Sequence, residues 1–176
     1  MRKGQKGFSL IELLIVVAII LIIAAIAIPN LLRSKIAANE ASAVGSVRTI
    51  NTAEVEYSSG WGVGYAVALT NLGGAAGCVA SAATACLIDP LLSVAPFTKS
   101  GYTFAAAGGN LVNGVNNTFE VNATPAVNQT TGVRSFCSDQ SGVIWFSING
   151  GVAIGTAPGT CAAVATVAGV SGPLGN

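Results

Sequence analysis

Hydrophobic positions follow three different rhythms along this chain. From Phe8 to Ile28 only Ser9 and Glu12 are polar, and Leu13 to Ile28 is an unbroken apolar run of 16 residues. A helix over Phe8–Ile28 would be roughly 31 Å long, the thickness of a bilayer core. From Asn30 to Ser59 the apolar residues Ile36, Ala43, Val44, Val47, Ile50 and Tyr57 recur at spacings of threes, fours and sevens. Arg33, Lys35, Glu40, Ser46, Thr49 and Glu56 fall on the other faces, so this stretch predicts an amphipathic helix. Gly60, after Ser58-Ser59, is its expected stop. Pro29 removes one amide and crowds the preceding turn, which predicts an interruption or a kink there. From Phe8 to Ser59 the helix would measure roughly 75 to 80 Å.

Beyond residue 60 the rhythm changes to alternation. Trp61-Gly62-Val63-Gly64-Tyr65 is rich in turn residues and Gly73-Gly74-Ala75-Ala76-Gly77 is a loop. Cys86 to Leu92 suits a short helix with Pro90 in its first turn. Gly101–Ala105, Thr118–Ala123, Val133–Cys137 and Val143–Ile148 are expected strands. Gly108-Gly109-Asn110 and Asn113-Gly114 are turn signals between the first two, and residues 138–142 form a hairpin loop between the last two. Three or four antiparallel strands against the amphipathic helix make an α+β head, residues 30–176.

Composition narrows the chemistry. Charged residues make up 9 % of the chain, against about a quarter in an average soluble domain. Three of the eight basic residues (Arg2, Lys3, Lys6) precede the apolar run and no acidic residue comes before Glu12. That asymmetry predicts a cytoplasmic N-terminus for a membrane-inserted chain. There is no histidine, which removes the commonest general base and the usual triads. No carboxylates converge in the sequence, no basic or aromatic cluster suits nucleic acid, and no cofactor motif is present. The glycine cluster at 73–77 lacks the lysine and context of a phosphate loop. Asp139 with Ser141 offers too few oxygens for a calcium loop. Asn116, Asn122 and Asn128 match a glycosylation pattern that asparagine-rich loops produce by chance.

The four cysteines suit two disulfides in an oxidising compartment. Three connectivities are open. Proximity in sequence favours Cys78-Cys86 and Cys137-Cys161, for roughly 2.5 and 3.5 kcal/mol of loop-closure entropy. Four reduced thiols are the alternative, and neither pair has the knuckle spacing of a zinc site.

Three readings compete for the N-terminus. A secretory signal peptide would use Ala25-Ile26-Ala27 as its cleavage site, but its apolar region is usually shorter and carries no carboxylate. A plain membrane anchor leaves Glu12 unexplained. A third reading uses Gly7, Phe8 and Glu12 together. Glu12 lies about 6 Å along the helix from Phe8 and can stay near the headgroups of a membrane. Among apolar helices it needs a partner, and cleavage between Gly7 and Phe8 would create one, a new amine on Phe8. Across staggered copies that pair would set register.

Gly7-Phe8-Ser9-Leu10-Ile11-Glu12 with Leu13-Leu14-Ile15-Val16-Val17 resembles the processing motif of type IV prepilins, shared by type IV pilins and type II secretion pseudopilins. The resemblance covers residues 1 to about 58 and is architectural beyond. It implies a leader of residues 1–7 removed by a prepilin peptidase after Gly7, N-methylation of Phe8, and filament assembly through Phe8 and Glu12. Residues 8–29 become a transmembrane segment and then a filament core, with Pro29 matching a proline common in such helices. The small residues Ala18, Ala24, Ala25 and Ala27 would let helices in that core approach closely. It further implies a homopolymer, with an assembly ATPase, a platform protein and a secretin as partners. The precursor would sit in the inner membrane and the product outside the cell, serving adhesion, motility or DNA uptake. A disulfide near the C-terminus is common in that family. Such a subunit is structural and not an enzyme. The alternatives are a type II secretion pseudopilin, whose usual calcium loop has no match here, and a membrane-tethered binding module such as a minor pilin capturing DNA or a surface.

Overall fold

The computed structural model describes residues 8–75, 77–148, 151–164 and 170–174. The chain divides into two units, Met1–Lys35 and Ile36–Asn176. Among the described residues are helices α1 (Leu10–Trp61), α2 (Leu69–Leu72) and α3 (Pro90–Ser93). The strands are β1 (Thr98–Lys99), β2 (Tyr102–Val112), β3 (Val115–Pro125), β4 (Ser135–Asp139), β5 (Ile144–Ser147) and β6 (Ser171–Pro173). The class is α+β, a long N-terminal helix with a small antiparallel sheet.

Helix α1 runs through Pro29 without a break. One missing amide leaves one carbonyl without its usual donor, and the turns on either side hold the helix together. The expected interruption therefore does not occur. The helix also passes Gly60 and ends at Trp61. Gly62, not Gly60, takes the left-handed conformation, with φ of 65°, a common helix terminator. At α3 the Asp89 side chain caps the helix, accepting from Leu91 N–H at 2.8 Å, with Pro90 in the first turn.

The sheet is a meander in which each strand pairs antiparallel with the next, in the order β1 to β6. Of the two turn signals between the first expected strands, only Asn113-Gly114 is a turn. Both residues have positive φ, 51° and 81°, as a two-residue hairpin requires. Gly108, Gly109 and Asn110 lie inside β2. A Cβ on Gly108 would stand 2.7 Å from the Ala66 carbonyl, and one on Gly109 would stand 2.2 Å from Pro158. These glycines let other segments cross the strand closely, a use of glycine distinct from turning the chain.

Strands β2 to β4 present Tyr102, Phe104, Phe119, Val121, Ala123 and Phe136 to one core, which Ala43, Val47, Ile50, Ala53 and Tyr57 of α1 share. Each large apolar side chain buried this way contributes about 1.5–3 kcal/mol. The stripe on α1 differs from expectation at two polar positions. Glu40 and Ser46, assigned by periodicity to outer faces, are 6 % and 5 % exposed. Glu40 is buried because the head supplies partners for both its oxygens.

Candidate functional site

Ser9 precedes the first helical residue and Glu12 is the third residue of α1. Glu12 Oε2 accepts the Ser9 backbone N–H at 2.9 Å, while the Ser9 carbonyl accepts Leu13 N–H at 3.2 Å. This is half of a capping box: an acid at the third position satisfies a donor that the helix start leaves open, and it lies at the positive end of the helix dipole. Periodicity and hydropathy gave no hint of this role. The signal was the spacing of Ser9 and Glu12, which matches a serine followed three residues later by glutamate. The second carboxylate oxygen has no hydrogen-bond partner among the described residues. Gly7 lies outside the described residues.

The apolar face around Glu12 is bare. Phe8 is 81 % exposed and Leu10 76 %. The most apolar window of α1 has a mean hydropathy of 3.3 and none of it is buried. By length and composition α1 is suited to cross a membrane.

The second half of α1 is fastened to the head by polar groups. Glu40 Oε1 accepts N–H of Val133 at 3.0 Å and of Arg134 at 3.2 Å, and Oε2 accepts the Arg134 guanidinium at 2.7 Å. The guanidinium also lies over the rings of Phe136 and Phe146, at 5.7 and 5.6 Å. Tyr102 donates to the Arg134 carbonyl at 2.8 Å. Burial, reinforced by the Glu40 charge, pushes the Tyr102 ionisation up. Glu54 is fully buried. Its Oε2 accepts Ala66 N–H at 2.8 Å, and its Oε1 is buried without a partner. Burial raises its pKa to about 7, against the lowering effect of the Ala66 N–H. Burial and the Glu54 charge together push the Tyr57 ionisation up. Asp89 is held below the usual range by Leu91 N–H and then by Lys99, 3.3 Å away.

Two disulfides occur among the described residues, Cys78–Cys86 and Cys137–Cys161. The first closes a loop that Tyr57 holds by donating to the Ala82 carbonyl at 2.6 Å. The second ties β4 to the tail over the sheet face opposite the core. There Glu120 accepts the Cys161 N–H and, at 3.1 Å, the Thr160 hydroxyl. Asn122 donates to the Gly155 carbonyl at 3.1 Å, which occupies the amide that glycosylation would need. Asp139 accepts Ser141 N–H at 2.8 Å and shapes the β4–β5 turn.

The family model that matches is the prokaryotic N-terminal methylation motif, over residues 2–28. The chain is 60 % identical over 38 residues to the type IV wide pilus major component PilA4 of Thermus thermophilus, covering 22 % of this chain and 29 % of that protein. It is 44 % identical over 55 residues to the type IV major pilin protein PilA of Myxococcus xanthus, covering 31 % of this chain and 25 % of that protein. The chain thus spans less than a third of the length of either relative, and no solved structure matches it. With its bare apolar helix start and the carboxylate that caps it, this chain carries a prokaryotic N-terminal methylation motif and is similar to type IV pilins.

Proposed function

We propose that this chain is a structural subunit of a type IV pilus-like extracellular filament. The observation that carries the reading is the exposed apolar start of α1 with a single carboxylate near its beginning. In water such a surface must be covered, and nothing in its own unit covers it. A membrane covers it before assembly, and copies of the same helix cover it afterwards. A prepilin peptidase cuts after Gly7 and the new amine of Phe8 is methylated. Glu12 keeps its cap on Ser9 N–H through one oxygen and receives the Phe8 amine of a neighbouring copy on the other. Pro29 is the point at which the core segment, residues 8–29, bends. Assembly draws on an ATPase, a platform protein and a secretin, and the head carries no catalytic function.

The test is electron microscopy of sheared surface filaments with mass spectrometry of their subunit. The expected subunit begins at N-methylated Phe8 and has 169 residues, the 176 of the chain less the seven of the leader. Gly7→Asp should leave uncut precursor in the membrane. Filament subunits that retain Met1, or that start after Ala27, would overturn the reading.

A further inference from the structure

The charged side chains of the head leave a remainder of two. Glu40 pairs with Arg134 and Lys99 with Asp89. Glu54, Glu120 and Asp139 each accept backbone N–H groups. Arg48 and Glu56 are the charged residues from 36 onward whose side chains have neither a backbone nor a side-chain partner among the described residues, and both are exposed. They are opposite in sign. They stand eight residues apart on one helix, about 12 Å along its axis, too far to pair within one chain.

Each lines a depression in the surface. Arg48 is the last α1 residue along a groove of about 360 Å³ lined by Ala37, Ala41, Val44 and Leu174 and by the Glu40–Arg134 ion pair, whose charges offset each other. Glu56 adjoins Val55, which is 57 % exposed. Residues 41, 48 and 55 are spaced by sevens, two helical turns, so the groove and Val55 share one side of α1. Gly45 lies on the same exposed side. A Cβ there would meet nothing within 4 Å, and glycine in a helix interior costs about 1 kcal/mol relative to alanine. No contact inside the chain accounts for it, whereas a second helix approaching closely does.

We propose that this groove receives the Val55–Glu56 corner of a second copy of the chain, with Arg48 of one copy paired to Glu56 of the next. The inference rests on the filament reading and adds to it a contact between heads. Because donor and acceptor sit at different levels of one helix, the contact is head-to-tail. A stagger along the axis does not close on itself, so it adds copies without limit. Seating Val55 beside Val44, eleven residues earlier in the helix, asks for a stagger of about 16 Å, in the same direction as the offset of about 6 Å between Phe8 and Glu12 and larger than it.

The test uses the full chain in its own assembly system, with sheared filament yield normalised to processed subunit. Arg48→Glu and Glu56→Arg should each lower the yield about tenfold, and the double exchange should recover it to within about threefold of the unaltered chain. Arg48→Cys with Glu56→Cys should give a ladder of cross-linked copies on a non-reducing gel, and neither cysteine alone should. The ladder is independent of charge and guards against a variant that merely folds poorly. Single variants with normal yield, a double exchange no better than the singles, or no ladder would each overturn the contact. Failure of the unaltered chain to build any filament would instead sink the filament reading.

Discussion

The two halves of α1 invert the usual relation between polarity and burial. In residues 10–35 leucine and isoleucine are exposed, Leu10 at 76 % and Ile11 at 67 %. In residues 36–61 two glutamates are buried, Glu40 at 6 % and Glu54 at 0 %. Burial follows from the available partner and not from the residue type. The first half has no apolar partner in its own unit, however favourable its transfer from water. The second half has a sheet on one side, so even its carboxylates are taken inside, at the cost of needing donors. A helix whose apolar part is bare and whose polar part is packed is a component awaiting a second environment.

Substitution at Glu12 is the strongest way to break this contrast. In the proposed filament core the carboxylate and the Phe8 amine would form a buried pair, and removal of one member of such a pair costs ~3–5 kcal/mol. Glu12→Ala also deletes the cap on Ser9, whereas Glu12→Gln keeps an acceptor for Ser9 N–H and loses only the charge. Both variants should be inserted and cut, and neither should build filaments alone. Normal filament yield from Glu12→Gln at equal subunit level would show that the charge has no part in registration.

Removal of the Cys137–Cys161 bond comes next. Replacing both cysteines by serine should cost roughly 3.5 kcal/mol by loop-closure entropy. It should expose residues 151–164 to protease before the rest of the head, because only hydrogen bonds to Glu120 and Asn122 and packing such as Pro158 on Gly109 would then hold the tail. Limited proteolysis followed by peptide mapping checks the order of cleavage.

Glu54 sharpens the comparison through pH. Its carboxyl has a pKa of 4.5 when free and about 7 when folded. The folded head therefore holds a proton that the unfolded chain releases. Stability from this group is greatest below pH 4.5 and is lost as pH rises through about 7. The loss is on the order of 3 kcal/mol. Thermal unfolding of the processed subunit in detergent should give a lower Tm at pH 8 than at pH 5. Glu54→Gln should remove most of that difference, and an unchanged pH slope in the variant would exclude Glu54 as its source.

The smallest effect is expected at Glu40. Its partner Arg134 is more than a third exposed, which screens the ion pair. Glu40→Ala also leaves the N–H groups of Val133 and Arg134 without their acceptor. A loss of about 1–2 kcal/mol follows. Chemical denaturation of the processed subunit would measure it, and no change would mean that water replaces the carboxylate.

Features that depend on neighbours along the chain can be read before any folding is considered. The bare helix that starts at Leu10 is legible because an unbroken apolar run of bilayer length reads as a helix whatever its use. The hairpin at Asn113-Gly114 is legible because few residues accept two positive φ angles in succession. The class of fold and the cap at Asp89-Pro90 were accessible in the same local terms. Features that depend on a distant partner emerge only when the chain is folded. Gly108 and Gly109 read as a turn until the crossings of Ala66 and Pro158 explain them as strand. The elements α2, β1 and β6 have four, two and three residues, too few for a period to be counted. Glu40 reads as a surface charge because hydropathy prices a carboxylate without its donors, and nothing local marks Glu54 for burial. Arg134 lies 94 residues from Glu40, and the Ala66 amide 12 residues from Glu54. A carboxylate goes inside when folding delivers a donor to it, and no local pattern records where that donor comes from.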